Sequence, residues 1–443
     1  MITAINMGDE NLSEKANRLH RAYHGKIQVL PKVPVRDRSD LSIWYTPGVA
    51  EPCKEIKEDK EKVYEYTNKG NTVAVISDGT RILGLGDIGP LAGLPVMEGK
   101  SLLFKHFGGV DAFPIMIDTK NPDKFIEVVK LIAPSFGGVN LEDISSPKCF
   151  YILDRLRKEL DIPIWHDDQQ GTATVVLAAV INSLKIVGKK IGDIIVASFG
   201  AGAAGYAVIK LLIEAGVEPG NIRVVELVNR EPTVLHQHMN LDRLFPYRGC
   251  LLRKTNRDNV MGGPEEALKD ADVLISFTCP GPGVIKKEWI ARMNDDAIVF
   301  PLANPVPEIL PEEAKEAGAR IVGTGRSDYP NQINNSLGFP GIFRGALDVR
   351  VTTITDSTAV GAAYELARVG EEEGLEEDKI LPTMNSWEVF AREAAAVAIA
   401  ALEAGVARKY VTWDEEYEHA RALIEKSRMS LKVLMDEKII KEV

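Results

Sequence analysis

The stretch that most restricts the fold is DIIVASFGAGAAGYAV, residues 193–208, where an apolar run ends in glycines and a helix-forming run begins. Gly200, Gly202 and Gly205 have GxGxxG spacing, which permits a tight turn, close approach to a pyrophosphate and close helix packing. The small residues Ala201, Ala203 and Ala204 fill the loop between them. Such spacing alone is weak, but the next apolar run, NIRVVELV, ends near Glu226, about 20 residues on, where a carboxylate can bind a ribose 2′-OH. A dinucleotide site follows. Glu226 favours NAD by repelling the extra phosphate of NADP, whereas Arg230 close by can pair with that phosphate, so NAD and NADP both stay open.

From residue 193 onward, strand-like runs alternate with helices through DADVLISF, DAIVFPLANP and ARIVGTG. This rhythm predicts a mostly parallel sheet wound on both faces. Upstream, TVAVISDG and AFPIMID read as strands and DKFIEVVKLIAPSF as a helix, which makes a smaller α/β unit. The expected fold class is α/β. An N-terminal α/β substrate and catalytic domain covers residues 1–160, and a Rossmann-type, doubly wound parallel-sheet dinucleotide-binding domain covers 161–385. Helices over 386–443 are expected to pack back on the first domain.

A chain of 443 residues suits two domains with an appendage, and its net charge of −11 argues against a nucleic-acid surface. The start, MITAINMGDENLSEK, lacks the basic and apolar segments of a signal peptide, and the apolar run AAAVAIAAL is too short to span a bilayer. Cys53, Cys149, Cys250 and Cys279 are scattered without CxxC pairing, as reduced thiols in a cytoplasm would be. A cytoplasmic protein without membrane attachment is expected.

WHDDQQGTATV, residues 165–175, places Asp167 and Asp168 side by side where an apolar strand gives way to a helix. One carboxylate there is an ordinary helix cap, but two need a further reason. NLEDIS adds Glu142 and Asp143 at another apparent strand end, and ligands of open α/β sheets bind beyond the carboxyl ends of strands. All-oxygen ligands suit Mg²⁺ or Mn²⁺. The segment SDGTRILGLGDIGPLAGLPVMEGK gathers glycines around Arg81 and Lys100, a pattern of backbone closely approaching another group. IWYTPGVAEP puts Tyr45 in a Pro-Gly turn.

Together WYTPGVAEPC, SDGTRILGLGDIGP, GLPVMEGKSLLFKHFGGVDAFPI, NLEDIS, WHDDQQGTATV, FGAGAAG, LANPVPE and GRSDYPNQINNSLGFPGIFRGALD resemble, in order, the malic enzymes. The likeness is to the short microbial form, without the acyltransferase-like domain of some bacterial relatives. It implies oxidative decarboxylation of L-malate to pyruvate and CO₂ with reduction of NAD or NADP. Tyr45 is then the general acid, Lys100 the general base and Asp167 the neighbour that tunes the lysine. Glu142, Asp143 and Asp168 become ligands of a divalent cation, and Arg81, Asn304 and Asn335 substrate contacts. The resemblance also implies a homodimer in which one protomer's N-terminal segment helps to complete its partner's site. Three other readings stay open: a different two-domain dehydrogenase, an oxaloacetate decarboxylase and a dinucleotide sensor without chemistry. Metal dependence separates the first, and the retained glycine loop and site residues weigh against the others.

Overall fold

A computed structural model describes residues 11–442 of the chain, so the leader reading over residues 1–10 lies outside the described residues. Two sheets organise it. The first is parallel, in the order β2-β1-β3-β4, from β1 (Thr72–Ser77), β2 (Asp111–Met116), β3 (Gly138–Leu141) and β4 (Ile164–His166). The second has the order β10-β9-β8-β5-β6-β7. Its strands are β5 (Val196–Phe199), β6 (Ile222–Val228), β7 (Glu231–Val234), β8 (Val273–Ser276), β9 (Ala297–Pro301) and β10 (Ala319–Val322).

The strands form where the apolar runs lie, and every residue of β1, β3, β4, β5, β8 and β9 is buried. Continuous burial is what parallel strands covered on both faces require. One edge departs from the parallel expectation. β7 runs antiparallel to β6 because Asn229 and Arg230, at φ of 52° and 70°, form a two-residue turn, too short for a crossover.

β4 also departs from the expected boundary. It pairs with β3, so the first sheet extends past residue 160 and ends at His166. From sequence alone a short apolar run of this kind fits either sheet. The return toward the first sheet likewise begins before residue 386. Phe339 and Phe343, on the Phe339–Asp348 helix, lie with ring centroids 4.6 and 5.2 Å from that of Phe104 on the Pro90–Gly108 helix. The Trp413–Asp436 helix reaches the same element, where Ser427 Oγ donates to the Lys105 carbonyl at 2.8 Å.

Asp167–Val187 is long and apolar enough to cross a membrane, but 78% of its apolar window is buried, so it is a core helix. The four cysteines are free thiols, Cys149 buried and the others exposed.

The core contains a costly group. Glu393, on the Glu388–Glu403 helix, is fully buried, and neither carboxylate oxygen has a hydrogen-bond partner. Burial, assisted by Glu365, raises its carboxyl well above the usual range. The folded state therefore holds a proton that the unfolded chain releases, so this group's support is full below the unfolded value and declines as pH rises toward the folded one. Glu393→Gln is expected to stabilise the protein by about 1–3 kcal/mol near neutral pH. Thermal unfolding at pH 4 and pH 8 checks this, and an equal gain at both would contradict it.

Candidate active site

The order β2-β1-β3-β4 reverses direction between β1 and β3, and the carboxylates gather beside that switch point, beyond the ends of β3 and β4. Glu142 and Asp143 follow β3, while Asp167 and Asp168 follow β4 on a π-helical turn, Asp167–Gly171, that leads into the Thr172–Val187 helix. Lys100 enters from the Pro90–Gly108 helix. Its Nζ lies 2.5 Å from Asp167 Oδ2, 3.0 Å from Glu142 Oε1 and 4.3 Å from the centre of the Phe339 ring.

Charge at this site is unbalanced. Burial opposes the ammonium of Lys100, yet Asp167 and Glu142 outweigh it and hold the group above its ordinary value. Burial and the neighbouring carboxylates raise Glu142, and the same causes push Asp143 up to about 8, with Asp168 its largest charged neighbour. Four carboxylates share one lysine. Among the described residues no three His, Cys, Asp or Glu side chains are already assembled at ligand distances. The donor set nevertheless fits a hard cation, because Asp143 Oδ2 is buried without a partner, and Asp168 stays about one-third exposed while its Oδ2 accepts from the Asp143 N–H at 2.8 Å.

Surrounding residues orient these carboxylates. Trp165 Nε1 donates to Asp167 Oδ1 at 3.1 Å, and Asn140 Nδ2 donates to Glu142 Oε2 at 2.7 Å. Sequence reasoning missed both, although each lies only two residues from its partner. Gly171 is the backbone counterpart: a Cβ there would stand 1.8 Å from Asp167 Oδ1. Gly171→Ala must therefore displace Asp167, and kcat is expected to fall about 100-fold with the fold retained. Steady-state kinetics beside circular dichroism would test this, and unchanged kcat would show that the turn absorbs the methyl group.

The other expected contacts are spread around this cluster. The backbone N–H of Arg81 donates to the Asp143 carbonyl at 3.0 Å, and its exposed guanidinium donates to the Leu83 carbonyl. Asn335 begins a short turn packed against Asp167–Gly171. Asn304 is exposed on the loop after β9, and that loop meets the Arg81–Gly86 segment, since a Cβ on Gly84 would stand 2.8 Å from the Asn304 carbonyl. Tyr45 is not brought to Lys100. It caps the Arg38–Trp44 helix, is 74% exposed, and has no hydrogen bond to the cluster among the described residues.

The glycine loop joins β5 to the Ala203–Glu214 helix, which packs against the Asp167–Gly171 turn. Gly200 adopts φ of +85°, and a Cβ on Gly205 would stand 1.9 Å from the Gly200 carbonyl, so both positions require glycine. Glu226 Oε2 accepts from the Ala201 N–H at 2.8 Å, while Arg230 is exposed at the tip of the β6–β7 hairpin. Arg248, which sequence reasoning did not single out, is buried, donates to the Ala201 carbonyl and lies over the rings of Phe150 and Phe245.

A glycine loop whose helix packs against the turn bearing two carboxylates of a buried lysine cluster defines a two-sheet NAD(P)-linked oxidoreductase. The family model for the malic enzyme N-terminal domain matches residues 24–157, and that for the malic enzyme NAD binding domain matches 169–237 and 265–404. The chain belongs to the malic enzymes, and its activity is the NAD(P)-dependent oxidative decarboxylation of malate. The structure of malic enzyme from Pyrococcus horikoshii Ot3 is similar at 63% identity and a TM-score of 0.92, over 96% of this chain and 99% of that one. The bifunctional malic/malolactic enzyme of Bacillus subtilis strain 168 is 49% identical over 93% of this chain and 98% of its own length. The NAD-dependent malic enzyme of Geobacillus stearothermophilus is 51% identical over 90% of this chain and 81% of its own length.

Proposed function

We propose that this enzyme oxidises L-malate at a divalent cation held by Glu142, Asp143 and Asp168, with Lys100 as general base and Tyr45 as general acid. The observation that carries the reading is four carboxylates around one lysine, with a buried oxygen of Asp143 left without a partner. A bound Mg²⁺ or Mn²⁺ would supply positive charge that stabilises the oxygen at C2, and the nicotinamide would supply the hydride acceptor.

The side chains have separate tasks. Lys100 Nζ takes the C2 hydroxyl proton, which requires a neutral amine. Glu142 engaged as a ligand withdraws one of the two carboxylates that hold the proton on Lys100, while Asp167 keeps the amine oriented at 2.5 Å. Arg81, Asn304 and Asn335 bind and orient the substrate. After CO₂ leaves, the Tyr45 hydroxyl delivers a proton to C3, which yields pyruvate.

Glu226, fixed against the Ala201 N–H, is the carboxylate that would bind the ribose, which favours NAD over NADP. Arg230 is the group on the exposed turn that can instead reach a 2′-phosphate. The free thiols support a cytoplasmic setting. Tyr45, exposed and apart from Lys100, supports a homodimer in which each protomer lends its tyrosine to the other.

The test is nicotinamide reduction with L-malate and Mn²⁺, using NAD and NADP separately, with and without chelator, followed by a pyruvate assay. Metal-dependent pyruvate is expected, while free oxaloacetate without pyruvate would remove the roles given to the carboxylates and Tyr45. Asp168→Asn is expected to weaken Mn²⁺ binding at least about tenfold in an electron paramagnetic resonance titration. An unchanged titration would take Asp168 out of the ligand set.

A further inference from the structure

Glu308 lies outside the cluster, in the LANPVPE segment, yet it is fully buried and each carboxylate oxygen accepts hydrogen bonds. Oε1 accepts from Ser276 Oγ at 2.6 Å, the Thr278 N–H at 2.9 Å and Thr278 Oγ1 at 3.2 Å. Oε2 accepts from the Ala303 N–H at 3.0 Å. One side chain thus ties together the loops that follow β8 and β9.

These loops meet opposite halves of the reaction. The first lies under the dinucleotide loop, since a Cβ on Gly200 would stand 2.8 Å from the Phe277 carbonyl, one residue before Thr278. The second carries Asn304, one residue after Ala303, and meets Gly84 of the segment whose Leu83 N–H donates to Asp143 Oδ1 at 3.4 Å. We infer that Glu308 is a positioning residue that sets the distance between the nicotinamide and C2 of malate by fixing both loops to one carboxylate. The inference rests on the reading of Asn304 as a substrate contact.

A carboxylate suits this place because all its partners are donors. In Glu308→Gln the shape remains, but an amide NH₂ must face at least one of them. Placed at Oε2, it opposes the Ala303 N–H and shifts the loop of Asn304. In the full-length enzyme kcat/KM for malate is expected to fall about 10- to 100-fold. The primary isotope effect with malate deuterated at C2 should rise as hydride transfer becomes more limiting, while NADH affinity, read by fluorescence, stays within about twofold. A residue needed only for folding would lower the yield and the melting temperature without moving the isotope effect.

Asn304→Ala separates this inference from the reading beneath it. If its malate KM equals the wild-type value, the substrate role of Asn304 fails whatever Glu308 does. If its KM rises, Glu308→Gln should add little in the double variant, because both act through one loop. Additive losses, or a Glu308→Gln enzyme with wild-type kcat/KM and isotope effect, would overturn the inference. Should Glu308→Gln not fold, Thr278→Val removes one donor from Oε1 and must still raise the isotope effect; a wild-type value there overturns the inference equally.

Discussion

Lys100→Ala is expected to lower kcat for oxidative decarboxylation by about 10³–10⁴-fold, at the upper end of what a positioned general base contributes, and to leave NADH binding within about twofold. Two effects combine at this position. The base disappears, and Asp167 and Glu142 lose the cation 2.5 and 3.0 Å away while still buried. Lys100→Arg separates them, because a guanidinium keeps the charge and cannot act as a base. If proton transfer is the task of Lys100, the Arg variant stays nearly as inactive as the Ala variant. If Lys100 is only the counter-ion of the carboxylates, Arg restores most of the turnover, and the base must be sought elsewhere. The dinucleotide loop also has contacts of its own, Ala201 being bonded to both Glu226 and Arg248, so its shape is expected to survive either change.

The parts of this molecule that were legible in the sequence depend on local rules. The glycine loop, the parallel strands of the second sheet and the placing of Asp167 and Asp168 at a strand end follow from spacing and apolar runs, and they appear where those rules put them. The antiparallel β7 and the membership of β4 in the first sheet depend on pairing between strands, which a short apolar run does not encode. The neighbours of Lys100 and the carboxylates were hidden for another reason. Phe339 lies 239 positions from Lys100 and meets it only because the Phe339–Asp348 helix returns to the Pro90–Gly108 helix. Glu308, between Pro307 and Pro311, is buried only because the loops after β8 and β9 close over it. Gly171 carries no mark in the sequence of its contact with Asp167, which depends on the π-helical turn.

Tyr45 leads to the other large expected effect. Around it Leu41, Ile43 and Trp44 are 51%, 58% and 47% exposed, and Val29 and Val35 add 80% and 55%, an apolar surface that a lone protomer has little reason to present to water. A second copy of the chain meeting this face through a two-fold axis would cover it and carry Tyr45 toward the partner's lysine. Tyr45→Phe and Lys100→Ala dimers should each be nearly inactive alone. In a heterodimer of the two, one site receives both intact residues and the other receives both lesions. Random reassortment makes half of the dimers mixed, so the mixture should regain about one quarter of wild-type activity. A site built within one protomer gives no recovery, because every chain then carries one lesion in its own site. Activity after co-refolding, with the heterodimer isolated by two affinity tags, decides between these outcomes, and an inactive pure heterodimer would return Tyr45 to its own chain's site.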